Sequence, residues 1–347
     1  MRYNGWTPDP KEEERFLLNT ETGTGLQPHV LVAVVVTYNR LDKLQRTLQR
    51  LLDTPASVLA AVVVVDNAST DGTADWLAAQ DDPRLEIMTS ATNRGGAGGF
   101  AAGMRHAAEC FDPDWIVVMD DDAWPSPGTL QRFATRPHAA DTAVAAAVYL
   151  PDGRICEMNR PSVNPFWNWK IFLRTLFYGP GGYRIPDSCY AKPGPRPVDL
   201  STFVGLFLPR GIVSKIGFPD PELFIYSDDV MYTLGLRRRG FRLEFDPSLS
   251  FQHDFASFQD GRKRVFRPLW KAYYVHRNGL FLYRSITGGL FWILLPFLIA
   301  KWSWTAYRYG ADRATYRQLM RRAVKDALRG RTERPHAEIL ALAKGVS

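Results

Sequence analysis

The pattern of apolar and polar positions changes at residue 29. Val30 to Val36 form a continuous apolar run, VLVAVVV, which is typical of a strand buried on both faces of a parallel sheet. Leu41 to Asp53 then place five leucines on one helical stripe, and Ala60 to Asp66 repeat the β-branched run. Strand and helix patterns alternate as far as Trp115 to Asp120. This alternation predicts an α/β fold with a doubly wound, mainly parallel sheet flanked by helices.

Polar segments follow three of these strands, at the point where each strand ends. They are TYNR after the first strand, DNASTDGT at the end of the second and DDD at the end of the fourth. Ligands of such sheets bind at the carboxyl ends of the strands. We therefore expect the functional site at this edge of the sheet.

Three adjacent carboxylates, Asp120, Asp121 and Asp122, close the fourth strand. Their like charges repel one another unless a cation compensates them. Carboxylate oxygens suit Mg²⁺ or Mn²⁺, which commonly bridge carboxylates to substrate phosphates. The pattern therefore predicts a divalent metal site, and the alternative is an acidic loop before the helix that begins near Gly128.

Other segments have both a structural and a chemical interpretation. Asp66 either caps a turn or accepts a hydrogen bond from a nucleobase or a ribose. Asp228 and Asp229 precede a predicted helix, so they either cap it or provide a general base. The glycines after Arg94 have nominal dinucleotide-motif spacing but do not follow the first strand, which leaves only a close approach to a phosphate. His253 follows another strand, and a lone histidine is more often structural.

Charge and hydropathy set the C-terminal part apart. Residues 1–230 carry 21 Lys and Arg against 28 Asp and Glu, whereas residues 231–347 carry 22 against 8. Residues 279–300 are the most apolar, but Arg284 leaves 16 uncharged residues, fewer than the roughly 20 that span a bilayer. The basic segment 312–334 is amphipathic, with an apolar face of Tyr316, Leu319, Ala323 and Leu328. We predict that this tail lies on an anionic membrane surface, the alternative being a buried core helix followed by a solvated one.

Three cysteines, Cys110, Cys156 and Cys189, lie far apart. Their spacing excludes a zinc ribbon and a disulfide framework, and it fits a reducing compartment. The first residues are charged and lack an apolar segment, so we expect no secretory signal. Residues 160–199 are rich in Pro and Gly, which predicts a long irregular segment.

The ordered motifs resemble those of a known enzyme family. Residues 29–284 contain, in order, VVVTYNR, VVVDNASTDGT, NRGGAGGF, MDDDA, FIYSDDVMYTLGLRRRGF, His253 and KAYYVHRN. This order is similar to that of inverting family 2 glycosyltransferases with the Rossmann-like GT-A fold. It most resembles that of bacterial galactofuranosyltransferases and rhamnosyltransferase-like enzymes. Each motif is weak alone, whereas the ordered set is specific.

The resemblance implies roles for individual residues. The positions that match nucleotide-sugar-binding residues are Thr37, Tyr38, Asn39, Asp66, Arg94 and Asp121. Asp120, Asp122 and His253 match the ligands of a Mn²⁺ or Mg²⁺ site. Asp229 matches the catalytic base, with Asp228 as its acidic neighbour. A metal that neutralises the leaving diphosphate and a base that takes the acceptor's proton agree with this residue chemistry.

The resemblance also implies a reaction and its partners. It implies one displacement at the anomeric carbon of a UDP- or dTDP-sugar, with galactofuranose or rhamnose passing to a glycan or lipid-linked glycan during cell-surface polysaccharide assembly. A cytoplasmic enzyme on the inner face of the cell membrane is expected, with no nucleic-acid partner. The Q-x-x-R-W signature of processive synthases is absent, so we expect addition of one or a few sugars.

Some properties stay open at this stage. Thr202, Phe203 and Val204 stand where galactofuranosyltransferases commonly carry tryptophans, so the acceptor preference is undetermined. The donor sugar, the linkage and the oligomeric state, with a homo-oligomer among the options, are open as well. The regions expected are an extension (1–27), a nucleotide-sugar-binding half (28–150), an acceptor-binding and catalytic half (151–262) and a basic, partly apolar helical tail (263–347).

Three other functions compete with this interpretation. A nucleotidyltransferase that makes NDP-sugars shares this kind of fold, but it would carry a glycine-rich phosphate loop where TYNRLDKL stands. A catalytically inactive membrane-bound scaffold is disfavoured by the intact motif residues Asp120, Asp122, Asp229 and His253. Nucleic-acid binding by the basic tail lacks a recognisable module, and the apolar neighbour of the tail favours lipid.

Overall fold

A nine-stranded sheet with helices on both faces confirms the predicted α/β fold in a computed structural model that describes residues 30–255 and 265–344. The predicted N-terminal extension, residues 1–27, lies outside the described residues. The strands are β1 (Leu31–Thr37), β2 (Leu59–Asp66), β3 (Leu85–Thr89), β4 (Trp115–Asp120), β5 (Ala123–Pro125), β6 (Thr142–Tyr149), β7 (Arg196–Pro197), β8 (Leu206–Pro209) and β9 (Arg242–His253). Their order is β3-β2-β1-β4-β8-β6-β9-β5, and β7 pairs with β9.

The predicted parallel strands β1 to β4 form one half of the sheet. β1 is buried along its whole length, as its apolar run predicts. The register places Thr37 opposite Asp66 and Val36 opposite Asp120. The polar segments at these strand ends therefore lie side by side.

The other half of the sheet is mixed, because β8 runs antiparallel between β4 and β6. β9 pairs in parallel with β6 and antiparallel with β5. The pairing with β5 sets Ala123, the residue after the acidic triplet, opposite His253. The pattern analysis did not predict β5 and β8, which are only 3 and 4 residues long. These short strands bring His253 to Asp122, from which it is 131 residues distant in the chain.

The helices that accompany the sheet are α1 (Leu41–Leu52), α2 (Thr73–Ala78), α3 (Gly95–Cys110), α4 (Thr129–Ala134), α5 (Trp169–Tyr178), α6 (Pro180–Tyr183), α7 (Ser188–Ala191), α8 (Arg210–Ile216) and α9 (Asp228–Arg238). Leu44 of α1 shares one apolar core with Val35 of β1. Met104 of α3 shares a second core with Val34. Neighbouring residues of β1 thus face opposite cores, which is why the strand is apolar on both faces.

Residues 160–199 were predicted to be irregular, but they contain the ten-residue helix α5. The side-chain oxygen of Asn168 caps this helix by accepting hydrogen bonds from the amides of Lys170 and Ile171, at 3.0 and 3.4 Å. The surrounding prolines and glycines concealed the capped helix in the sequence. None of its residues is buried, and its exposed apolar side chains are Trp169, Phe172, Leu173, Leu176, Phe177 and Tyr178.

The C-terminal helices form a core of their own. They are α10 (Lys271–Thr287), α11 (Phe291–Thr305), α12 (Arg313–Leu328) and α13 (His336–Ala343). Tyr316, Leu319 and Ala323, on the predicted apolar face of 312–334, are completely buried in this core, while Leu328 is 39% exposed. That face therefore packs on protein, and a contact between the tail and a membrane requires another surface.

α11 has two apolar stripes. The stripe that packs on α10 and α12 consists of Phe291, Leu295, Leu298 and Trp302. The opposite stripe exposes Trp292, Ile293, Phe297 and Trp304. Among the described residues, the helical run Lys271–Leu328 is long and apolar enough to cross a membrane by length and composition. Positive φ angles at Gly288 and Gly310 break that run, and α11 alone extends about 22 Å, against roughly 30 Å for a bilayer core.

Gly103 allows α3 to lie close to the sheet, since a Cβ added there would come within 2.6 Å of Cγ1 of Val34. We expect Gly103→Ala to lower the free energy of unfolding by about 1–3 kcal/mol, because the core must make room for the methyl group. Gly235→Ala is the matched control: no atom lies within 4 Å of its added Cβ, so this variant should be neutral or slightly stabilising. Urea unfolding measures the free energy of unfolding of both variants. Equal values for Gly103→Ala and Gly235→Ala would contradict the close packing of α3.

Candidate active site

The ends of β4 and β9 bring the three predicted metal ligands together. The ligand atoms of Asp120, Asp122 and His253 lie within 4.8 Å of one another. His253 Nε2 is 3.0 Å from Asp122 Oδ1 and 4.0 Å from Asp120 Oδ2. Two carboxylates and one imidazole form a donor set that suits Mn²⁺ or Mg²⁺. The chemistry of this cluster therefore fits a divalent cation.

A chain of side-chain hydrogen bonds orients His253. Its Nδ1 is 2.8 Å from Asn159 Oδ1, and Asn159 Nδ2 donates to Thr202 Oγ1 at 2.8 Å. The Cys156 thiol donates to the same Asn159 oxygen. Because that oxygen is the acceptor, Nδ1 carries a proton and Nε2 faces the carboxylates, as in a metal-binding imidazole. No sequence motif marks Asn159, so it was not predicted.

Arg40 forms ion pairs with the acidic triplet. Its Nη1 donates to Asp122 Oδ2 at 2.8 Å and to Asp121 Oδ1 at 3.2 Å. Burial alone would lower the pKa of Arg40, but the neighbouring carboxylates outweigh burial and raise this pKa. Arg40 was not among the predicted site residues, although its position at the end of TYNR, on the same sheet edge, was an available signal.

The acidic triplet is short of positive charge. Burial raises the pKa of Asp121 to about 7, although Arg40 and a hydrogen bond from Thr37 oppose the shift. Burial would lower the pKa of His253, but the hydrogen bond with Asp122 and the nearby carboxylates raise it to about 10. Without a metal, Arg40 and protonated His253 thus leave one carboxylate of the triplet poorly compensated. A divalent cation bound to His253 would displace the Nε2 proton and supply two positive charges in its place.

The buried end of β2 has an acceptor without a partner. Asp66 is completely buried, and its Oδ1 accepts a hydrogen bond from the Ser69 amide at 2.9 Å. Asp66 Oδ2 and Asn67 Oδ1 are both buried and have no hydrogen-bond partner among the described residues. Buried acceptors are normally satisfied. The pair therefore fits a ligand that brings N–H or O–H donors, such as a nucleobase or a ribose.

The other residues predicted to bind the nucleotide-sugar divide into exposed and internal side chains. Tyr38 and Arg94 are exposed, the first directly after β1 and the second directly before α3. Thr37 is buried and donates from Oγ1 to Asp121 Oδ2 at 2.8 Å. Asn39 accepts a hydrogen bond at 2.7 Å from an amide of the loop after β2. Thr37 and Asn39 thus hold other segments of the site, and their direct contact with a nucleotide stays a prediction.

Asp228 and Asp229 begin α9 and interact electrostatically with Asp120 of the triplet. Asp228 is buried, whereas Asp229 is partly exposed and accepts a hydrogen bond from the Val230 amide at 2.7 Å. Burial raises the pKa of Asp229 to about 7 and that of Asp228 well above its usual range. The charge of Asp120 adds to both shifts, so this pair lies within electrostatic reach of the metal-ligand cluster.

Residues 32–191 match the family model of glycosyl transferase family 2. An undecaprenyl-phosphate mannosyltransferase of Micrococcus luteus is 33% identical over 40% of this chain and 56% of its own length. A galactofuranosyltransferase of Mycolicibacterium smegmatis is 28% identical over 72% of this chain and 81% of its own length. A solved mannosyltransferase from Pyrobaculum calidifontis, in complex with GDP-Man and Mn²⁺, superposes with a TM-score of 0.50 and 18% identity over 97% of this chain and 87% of its own. At that identity the superposition shows the fold alone.

The matches and the placement of the motif residues agree. The family model covers the strand ends of β1, β2 and β4, where the acidic triplet lies. The similarity to the galactofuranosyltransferase extends over most of the chain. We conclude that residues 32–191 form a family 2 glycosyltransferase domain.

Proposed function

We propose that the chain is an inverting, metal-dependent glycosyltransferase that moves a sugar from a nucleoside-diphosphate sugar to a lipid-linked glycan. One observation supports this proposal: a cluster that could hold a cation, an unpartnered acceptor on Asp66 and the carboxylate pair of α9 come together near one edge of the sheet. The cluster fits a diphosphate with its cation, and the acceptor on Asp66 fits a nucleoside. The carboxylate pair fits a general base. An inactive scaffold would not need all three together.

The proposed donor is UDP-galactofuranose, with dTDP-rhamnose as the second choice. The similarity to a galactofuranosyltransferase over 72% of the chain supports the first of these sugars. Uracil and thymine both present a ring N–H, and Asp66 Oδ2 is a buried acceptor that such a group would satisfy. The exposed ring of Tyr38 and the guanidinium of Arg94 would complete the contacts with the nucleotide.

The reaction assigns separate tasks to the metal and to the carboxylate pair. Held by Asp120, Asp122 and His253, Mn²⁺ or Mg²⁺ would neutralise charge on the leaving diphosphate. Asp229 would accept the proton of the acceptor hydroxyl, whose oxygen attacks the anomeric carbon while the bond from that carbon to the diphosphate oxygen breaks. A base with a pKa of about 7 is about half ionised at neutral pH, and its ionised form binds a proton readily. One such displacement inverts the anomeric configuration.

We propose that the acceptor is reached at the inner face of the cell membrane, where nucleotide-sugars are available. The exposed stripe of α11 combines tryptophans with the neighbouring Lys301, a composition that suits the interface of an anionic bilayer. α5 exposes a second apolar surface, and the charged side chain of Arg174 is exposed on the same helix. Tyr183 of α6, the short helix after α5, acts electrostatically on Tyr283 of α10, so this segment lies near the first tail helix. The undecaprenyl-phosphate in the name of the mannosyltransferase relative agrees with a lipid acceptor.

Removal of divalent cations should abolish sugar transfer. Protein treated with EDTA is assayed with UDP-galactofuranose, dTDP-rhamnose, UDP-glucose and UDP-GlcNAc, and Mn²⁺ or Mg²⁺ is then added back. Activity should return with the metal for the preferred donor, because the leaving diphosphate otherwise faces an acidic triplet that Arg40 compensates only in part. Full activity of the metal-free protein would contradict the proposed role of the cluster.

Asp229→Asn should lower kcat by roughly 10²–10⁴-fold and leave nucleotide binding intact, because the amide cannot accept the acceptor's proton. In the wild-type enzyme kcat should rise with pH towards a plateau above about 7, since only the ionised carboxylate acts as a base. A bound cation shifts this rise to lower pH. Asp228→Asn is the matched variant: if it is crippled while Asp229→Asn is nearly normal, the base is the other carboxylate.

Liposome co-sedimentation tests the proposed membrane surface. Binding should increase with the anionic lipid content and decrease with salt, because apolar burial and charge attraction act together. Ile293→Ser and Phe297→Ser, on the exposed stripe of α11, should each weaken binding, whereas Ile87→Ser, at an exposed position of β3, should not. If the wild-type protein ignores liposomes at low salt, a soluble acceptor is the better explanation.

A further inference from the structure

The motif KAYYVHRN forms the first half of α10 and contributes no residue to the reaction described above. Its last two residues, Arg277 and Asn278, are completely buried. Within residues 30–255 and 265–344 Arg277 forms no ion pair, and its guanidinium carbon lies 5.4 and 5.1 Å from the ring centres of Tyr273 and Tyr274. Burial of a charge without a counter-charge is costly, so the hydrogen bonds of Arg277 carry much of its compensation.

Both side chains hold the same loop, residues 222–226. Arg277 Nη2 donates to the carbonyls of Glu222 and Leu223 at 2.8 and 3.0 Å. Arg277 Nε donates to Asn278 Oδ1 at 2.9 Å and so joins the two side chains. Asn278 Nδ2 donates at distances of 2.8–2.9 Å to the carbonyls of Leu223, Ile225 and Tyr226. The tail thus binds four of the five carbonyls in this loop.

The loop has a backbone conformation that needs such support. Phe224, Tyr226 and Ser227 have φ angles of 65°, 70° and 64°, in the left-handed region that residues other than glycine rarely adopt. Strained residues of this kind persist where the surrounding structure holds them. Asp228 and Asp229 follow directly, so the position of the carboxylate pair depends on these three residues.

The opposite side of the loop lies against the nucleotide-sugar half of the site. The amide of Ala97, in the first turn of α3, donates to the Phe224 carbonyl at 3.1 Å. A Cβ at Gly95 would lie 2.0 Å from the same carbonyl oxygen, so only glycine permits this approach. The Phe224 ring stacks on Tyr274 and His336 of the tail, with ring centres 4.8 and 4.3 Å apart. The loop is therefore clamped between α3 and the tail.

We propose that Arg277 and Asn278 are positioning residues, which hold the 222–226 loop so that Asp229 faces the acceptor beside the donor. The tail is then part of the catalytic unit and not only an attachment to a surface. This proposal rests on the proposed role of Asp229 as the base. The alternative is that the two residues only fasten the tail to the sheet.

A double-mutant cycle between Asn278 and Asp229 separates positioning from fastening. Asn278→Ala should lower kcat by about 10²-fold with little change in the donor KM, because a displacement of about 1 Å in the base has this effect. In an Asp229→Asn background the same substitution should cause no further loss of kcat, since the base is already absent. Asn278→Ser keeps one hydrogen-bond donor, so its kcat should lie between those of Asn278→Ala and the wild type. If Asn278→Ala does not fold, Asn278→Ser is used in its place.

Asp326→Asn is the control for general damage to the tail, because Asp326 is buried there and bonds to Arg334. It should lower the unfolding temperature but keep kcat. The positioning role is overturned if the Asn278 variants lose no more activity than this control, or lose the same factor in both backgrounds. If Asp229→Asn itself keeps the wild-type kcat, the base assignment fails instead. The cycle is then run with Asp228→Asn, where the same non-additivity is expected and additivity overturns the positioning role.

Discussion

Repulsion among carboxylates at one edge of the sheet is the constraint on which the rest of the site depends. Asp120 ends β4, Asp121 and Asp122 follow it, and Asp120 acts electrostatically on the acidic pair of α9. The chain compensates them with Arg40 and His253, which the ends of β1 and β9 bring to the triplet from distant parts of the sequence. This compensation is incomplete, because burial still raises the pKa of Asp121 to about 7. A site with this charge deficit is suited to a divalent cation and to the diphosphate that would accompany it.

The tail supports the part of the site that contains the carboxylate pair of α9. Its own apolar core gives it a fixed shape, and from this core α10 extends two buried side chains to the strained loop before α9. The same tail presents the exposed apolar stripe of α11. A lipid-linked acceptor held at that stripe would approach a carboxylate that, in our proposal, the same set of helices positions. The proposed surface attachment and the proposed placement of the base would then be properties of one structural unit.

The parts of the structure that could be predicted are those that local patterns determine. The β-branched runs identify β1, β2 and β4, and the polar residues at their ends identify Asp66 and the acidic triplet, because side-chain alternation and strand ends are local features. His253 was assigned to the metal only through the family resemblance, since its place depends on the short antiparallel pairing of β5 with β9. Asn159 was missed because its partner His253 lies 94 residues away and no motif marks it. Arg40 was overlooked although TYNR stands at the predicted edge of the sheet. Periodicity showed that α12 is amphipathic but could not show that α10 covers its apolar face.

A single cation held jointly by Asp120, Asp122 and His253 is central to the proposed reaction. The most direct measurement is a crystal structure of the full chain with MnCl₂ and UDP, with anomalous difference maps collected at the manganese absorption edge. We expect one strong anomalous peak within roughly 2.0–2.6 Å of a ligand atom from each of the three residues, with the diphosphate of UDP beside it. UDP bound at this edge of the sheet with no manganese between these residues, or manganese bound elsewhere, would contradict the proposal.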